Sequence, residues 1–203
     1  MIMQKYFFCF AFLTVLAFSS CKEDDKHHKE DHEQETKTEN KSVASKGNAY
    51  SQTFTDSFKI LLSNYYTLKD AFVKSDTVAI RSAAVSFNNI LTGFSFNAVA
   101  AKDSLNYETV KEKPADMQAA IDKILKESDI EKQREGFEQV SQSVYDLVQT
   151  LKPSGVHAYY QYCPMAFNDR GAYWLSAADS IMNPYFGKKM LTCGEVKEDL
   201  FFE

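Results

Sequence analysis

TFTDSFKILLSNYYTLKDAF, residues 53–72, places Phe54, Phe58, Leu61, Leu62, Tyr65, Leu68 and Phe72 at steps of three and four. That spacing lines one side of a long helix with apolar groups, which must be buried against something else. Thr53 with Asp56 reads as a capping box at its start. Asp76 offers a cap for a second helix with the stripe Ile80, Ala83, Ala84, Phe87, Ile90, Leu91 and Phe94. Between Ser95 and Lys113 the pattern weakens to a connection. Pro114 suits the first turn of a third helix, whose buried side is Met117, Ala120, Ile121, Ile124 and Leu125. Ser128 and Glu131 form a second capping box, ahead of Phe137, Val140, Val144, Leu147, Val148 and Leu151. Gly136 in that fourth helix costs about 1 kcal/mol against Ala and marks a close crossing. Four such stripes, largely with short connections, predict a mainly α fold: an antiparallel four-helix bundle over residues 50–153.

After Lys152-Pro153-Ser154-Gly155 the texture changes to aromatics, Met, Cys, Gly and Pro, so residues 154–203 are expected to form a compact irregular or small α+β cap. Val156–Tyr160 and Gly171–Leu175 read as extended segments, a hairpin around Asn168-Asp169-Arg170-Gly171. A short helix is expected around Ser176–Met182, capped by Ser176 and Asp179. Residues 50–203 together have the size of one domain, with chain enough for a real core.

The amino end has a different character. Lys5 precedes an almost unbroken apolar run, Tyr6 to Phe18, and then Ser19-Ser20-Cys21. Charged, apolar and small-residue regions in that order describe a secretory signal over residues 1–20, too short to span a bilayer comfortably. Phe18-Ser19-Ser20-Cys21 resembles the bacterial lipobox, with Phe in place of the usual Leu. The resemblance implies that Cys21 is acylated and becomes the first residue of the mature chain, anchored through its lipid to a membrane. Residues 21–49 are then a charged, mobile tether. Its Lys22-Glu23-Asp24-Asp25 resembles an acidic tag that sends some lipoproteins of the Bacteroidetes to the outer surface. The expected location is the outer membrane, facing the periplasm or displayed at the surface. His27, His28 and His32 fall in the tether, where nothing nearby fixes their geometry.

The sequence has 23 Lys and Arg against 28 Asp and Glu, a net charge of −5, and loses Lys5 with the leader. Such a surface argues against nucleic acid as a partner. No catalytic constellation emerges: His157 is the sole histidine after the tether, and Ser154 lies in no nucleophile elbow. An enzyme is not expected.

Soft ligands concentrate in the cap. Cys163 and Met165 share a side of an extended segment, and Met190 and Cys193 share a side of a turn or helix. His157 stands six residues before Cys163. Two Cys/Met prongs point to a monovalent soft ion, Cu(I) or Ag(I), since zinc gains little from thioether. Trp174 over the bound ion is a further arrangement that spacing cannot argue.

The stretches Tyr159–Ala166, Gly171–Ser176 and Asn183–Gly194 resemble the signature of a Bacteroidetes family, the domain of unknown function 3347. That family occurs on lipoproteins and fused to periplasmic adaptors of heavy-metal efflux pumps. The resemblance implies copper or silver handling, with such an adaptor or pump as partner. It carries over Cys163, Met165, Met190 and Cys193, with Trp174 and Asn183-Pro184-Tyr185-Phe186-Gly187 as scaffold. Three readings of the cysteines stay open: metal ligands, a disulfide stapling a non-metal interaction module, or a redox-interchanging pair that binds Cu(I) only when reduced.

Overall fold

The computed structural model describes residues 45–203; the leader, Cys21 and most of the tether lie outside them. The protein is mainly helical with a small three-stranded antiparallel sheet. Helix α1 (Gln52–Lys74) starts at Ser51, whose Oγ accepts the Phe54 N–H at 3.2 Å. The extended backbone of Ser51 lets it cap, two residues ahead of the expected Thr53. Helix α2 (Thr77–Gly93) starts at Asp76, which accepts the N–H groups of Val78 and Ala79. The connection expected between Ser95 and Lys113 holds two short helices, α3 (Asn97–Lys102) and α4 (Ser104–Val110). Each buries a valine, Val99 and Val110, which is too little apolar surface to leave a stripe in the sequence.

Helix α5 (Lys113–Lys126) carries Pro114 in its first turn. Helix α6 (Ile130–Leu151) is capped by Asp129, accepting the Glu131 N–H at 2.9 Å, rather than by Ser128. A carboxylate at that point also meets the positive end of the helix dipole. Helices α1 and α2 pack together, as do α5 and α6, with α2 against α5. Between them lie Phe58, Leu61, Phe72, Phe87, Met117, Ile121 and Phe137, all buried. Gly136 is the close approach: a Cβ there would stand 2.8 Å from Ile124 Cγ1 and 3.0 Å from the Ala120 carbonyl.

Lys152, in the left-handed region at φ 43°, ends α6 and turns the chain into strand β1 (Val156–Cys163). Strand β2 (Ala172–Ser176) pairs with it antiparallel, from Tyr159 opposite Ser176 to Cys163 opposite Ala172. This is the hairpin the extended segments predicted, longer in β1. Strand β3 (Glu195–Phe202) lies on the other side of β1, with an irregularity at Tyr160/Gln161. Its sequence, Glu195-Val196-Lys197-Glu198-Asp199-Leu200-Phe201-Phe202, runs from charged to apolar without alternating and gave no expectation of a strand.

The helix expected around Ser176–Met182 does not form. Ser176 closes β2, and the carbonyls of Ala178, Asp179 and Ser180 turn inward to the Nε2 of Gln161, a fully buried side chain. A tertiary hydrogen-bond partner there replaces the helical one. Ser45 exchanges backbone bonds with Phe201 and Glu203, and Asn48 bonds to Leu151 and Lys152, so residues ahead of α1 are tied to β3 and the end of α6.

One polar node ties helices to sheet. The Tyr65 hydroxyl, fully buried, lies 2.8 Å from Ser141 Oγ and accepts the Leu175 N–H at 3.0 Å. It joins α1, α6 and β2, and burial holds its phenol well above the ordinary range.

Candidate functional site

Cys163 ends β1 and is buried, while Cys193 lies in the loop before β3 and is partly exposed. Their Sγ atoms stand 2.8 Å apart. Burial, and then the neighbouring Cys163 thiol, push the Cys193 thiol up to about 11. The Cys193 N–H donates to the Met190 carbonyl at 3.1 Å, closing the second prong on itself. The two Cys/Met prongs meet through their sulfurs. Both methionine side chains open onto one cavity of about 480 Å³, bounded also by Phe167, Tyr185 and Phe186.

The segment Asn183–Gly187 holds this arrangement. Asn183, fully buried, donates from Nδ2 to the Cys193 carbonyl at 2.7 Å and accepts the Tyr185 N–H at 2.7 Å. Pro184 offers its carbonyl to Arg134 Nε at 3.1 Å. The Tyr185 ring stands against Phe137, Phe167 and Trp174, and its hydroxyl donates to the Tyr173 carbonyl. Gly187 has φ +56°, and a Cβ would lie 2.3 Å from Ser75 Oγ, so only glycine lets the loop close on the end of α1. Trp174 is fully buried behind Gly194, whose Cβ would meet its ring at 3.0 Å.

His157 is not brought to the sulfurs. Its Nε2 pairs with Asp199 Oδ1 at 2.6 Å, near the opposite end of β1. Six extended residues separate it from Cys163, roughly 20 Å at the usual strand rise.

Two functional supports escaped the sequence reading. Arg134 is buried on the inner stripe of α6, reaching Ser75, Glu131 and Pro184. Gln161 anchors the loop after β2. Arg134 did leave a signal, a charge three residues before Phe137 on the apolar stripe. Gln161 left none, because a lone amide in a strand usually faces water.

Between Met165 and β2 the chain makes an unusual turn. Phe167, Asn168 and Asp169 have φ of 53°, 56° and 63°, three consecutive left-handed residues. Each costs roughly 1–2 kcal/mol for an L-residue. The turn is held by the Gly171 N–H bonding to the Ala166 carbonyl at 2.9 Å, and by Arg170, which lies over the Phe167 ring and pairs with both Glu138 oxygens at 2.7 Å.

Among the described residues no three His, Cys, Asp or Glu side chains converge as a cage for an ion. The donors that do converge are two thiols, with thioethers beside them. Fold and site together define a mainly helical domain whose small sheet carries a paired thiol. Residues 61–155 match the family described as protein of unknown function (DUF3347). The match runs from α1 to the last residue before β1, so the Cys/Met segment lies beyond it. No curated protein and no solved structure matches the chain.

Proposed function

We propose that the protein is a lipid-anchored envelope protein that binds Cu(I) or Ag(I) and serves as a buffer or delivery partner for metal efflux. The observation that carries this reading is the meeting of Cys163 and Cys193, with Met165 and Met190 alongside. Two thiolates more than offset the charge of a monovalent ion, and neighbouring thioethers favour a soft one. Metal–thiolate bonds of about 2.3 Å put two sulfurs on one ion roughly 4 Å apart. Loading therefore opens the pair, and Cys193, on a loop, is the side that gives. On this reading α1, α2, α5 and α6 act as an antiparallel four-helix bundle carrying residues 154–203 as its cap. Lipid on Cys21 keeps the domain near a membrane partner such as an efflux adaptor, raising its effective concentration for a weak handover.

The test is an anaerobic Cu(I) titration of the reduced protein against a chromophoric chelator. One ion per chain is expected to be held against the chelator, with near-complete loss in Cys163→Ser or Cys193→Ser. The double variant Met165→Leu/Met190→Leu should lose less and shift toward zinc. Wild type competing no better than the double-Cys variant would remove the metal reading.

A second reading is favoured by the 2.8 Å approach of the sulfurs. Oxidised, they are a staple, and the domain is a non-metal interaction module. A disulfide that forms quantitatively and survives mild reductant, seen by intact mass after alkylation, selects that reading.

A further inference from the structure

The cavity in front of the cysteines has a donor set of its own. Met165 and Met190 line it, whereas neither Cys163 nor Cys193 does. Met165 is 46% exposed and reachable from solvent, while Cys163 is buried behind it. The aromatic walls are Phe167, Tyr185 and Phe186. Thioether sulfur and ring faces are uncharged, polarisable donors that suit a monovalent soft cation and offer little to a hard one.

The charges at the rim point the same way. Glu131 is paired with Arg134 at 2.6 Å, and Glu135 with Lys123 at 2.8 Å. The third rim carboxylate, Asp169, makes no ion pair among the described residues. It does not converge with the other two into a cage. Carboxylates so placed draw a cation toward the mouth without holding it. The left-handed turn sets Phe167 and Asp169 at this rim, a strained backbone kept in place by Arg170. Strain of that kind concentrates at binding sites, where the surrounding structure over-determines it.

We infer that Met165 and Met190 form a separate thioether station in this cavity, which takes Cu(I) or Ag(I) independently of the thiols. The further step, handover to Cys163 and Cys193, rests on the soft-ion reading above. It is a ligand exchange without redox: two metal–thioether bonds break, two metal–thiolate bonds form, and two thiol protons leave to water. The path is short, because Met165 follows Cys163 by two residues, the Met190 carbonyl accepts the Cys193 N–H, and the two cysteine sulfurs stand 2.8 Å apart. Thioethers have no proton to lose, so loading the outer station releases none.

The test uses the full chain carrying Cys9→Ser and Cys21→Ser, so that Cys163 and Cys193 are the sole thiols, and oxidises that pair to the disulfide. Methionine methyl groups are labelled with carbon-13 and followed by NMR as silver nitrate is added. The Met165 and Met190 methyls should move together and saturate near one equivalent. Met182, 37% exposed and away from the cavity, is the internal control and should need at least tenfold more silver. Buried Met117 should stay still. The station is overturned if Met182 moves in step with the pair, or if either Met165 or Met190 fails to move. Reduced thiols that fail to bind while both methyls still move would remove the thiol reading and leave the thioether station standing. The two ideas thus fail separately.

Discussion

Cys163 and Cys193 stand with their Sγ atoms 2.8 Å apart, thirty residues from one another, one in a buried strand end and the other in a partly exposed loop. The asymmetry makes Cys193 the thiol that meets reagent first. Native alkylation of the reduced protein should label Cys193 ahead of Cys163, with peptide mass spectrometry reading the ratio. Equal labelling would mean the loop opens as a unit. Because the Cys193 thiol is pushed up to about 11, its alkylation rate should rise roughly tenfold per pH unit from neutrality toward that value.

The same shift has a sign for stability. Between the ordinary thiol range and about pH 11, the folded state keeps the Cys193 proton and the unfolded chain releases it. This contribution is fully present below the unfolded pKa and is lost as pH rises through the folded one. Urea midpoints of the reduced protein should therefore fall above about pH 9 more steeply than those of Cys193→Ser.

Tyr65→Phe removes the acceptor of the Leu175 N–H and the partner of Ser141 Oγ. Both are buried groups, and an orphaned one costs about 1–3 kcal/mol. Urea unfolding should show a loss in that range. Ser141→Ala, which leaves the Leu175 N–H satisfied, should lose less. Equal losses would mean that Leu175 finds another partner.

Gly136→Ala sets two effects against each other. Helix propensity favours alanine by about 1 kcal/mol. The new methyl, however, would lie 2.8 Å from Ile124 Cγ1 and 3.0 Å from the Ala120 carbonyl, and overpacking costs about 1–3 kcal/mol. The backbone carbonyl cannot step aside as a side chain can, so the substitution should destabilise. A raised denaturation midpoint would show that α5 and α6 separate at little cost.

Cys21→Ala tests the anchor. The protein should move from the membrane fraction to the soluble one on detergent phase separation, with Cys163 and Cys193 unaffected in a thiol assay. An unchanged membrane fraction would remove lipidation from the proposed function.

Much of the helical part was legible because burial along a helix repeats. Phe58, Leu61, Tyr65, Leu68 and Phe72 are all buried, and so are Val140, Val144, Leu147 and Leu151. The caps were legible only to within a residue or two, since Ser51 and Thr53, or Ser128 and Asp129, are near-equal candidates until the backbone picks one. Strand β3 and the missing helix after Ser176 were not legible. The partners of both lie far off in the chain: Gln161 for the loop carbonyls, and Val156 to Tyr162 for β3.

For the site, sequence alone determined the inventory: two Cys/Met prongs within residues 163–193, with a turn at Asn183–Gly187 between them. Local chemistry is a property of residue type and spacing, and both are written in the chain. Which of those residues meet was decided only by tertiary structure. It brought Cys193 to Cys163 through the clamp of Asn183 and Arg134. It sent His157 along β1 to Asp199 and sealed Trp174 behind Gly194. It turned Met165 and Met190 onto a shared cavity. The physical reason is that strand direction and loop closure set distances between residues thirty apart, and these follow from sheet pairing and buried hydrogen bonds that no local pattern encodes.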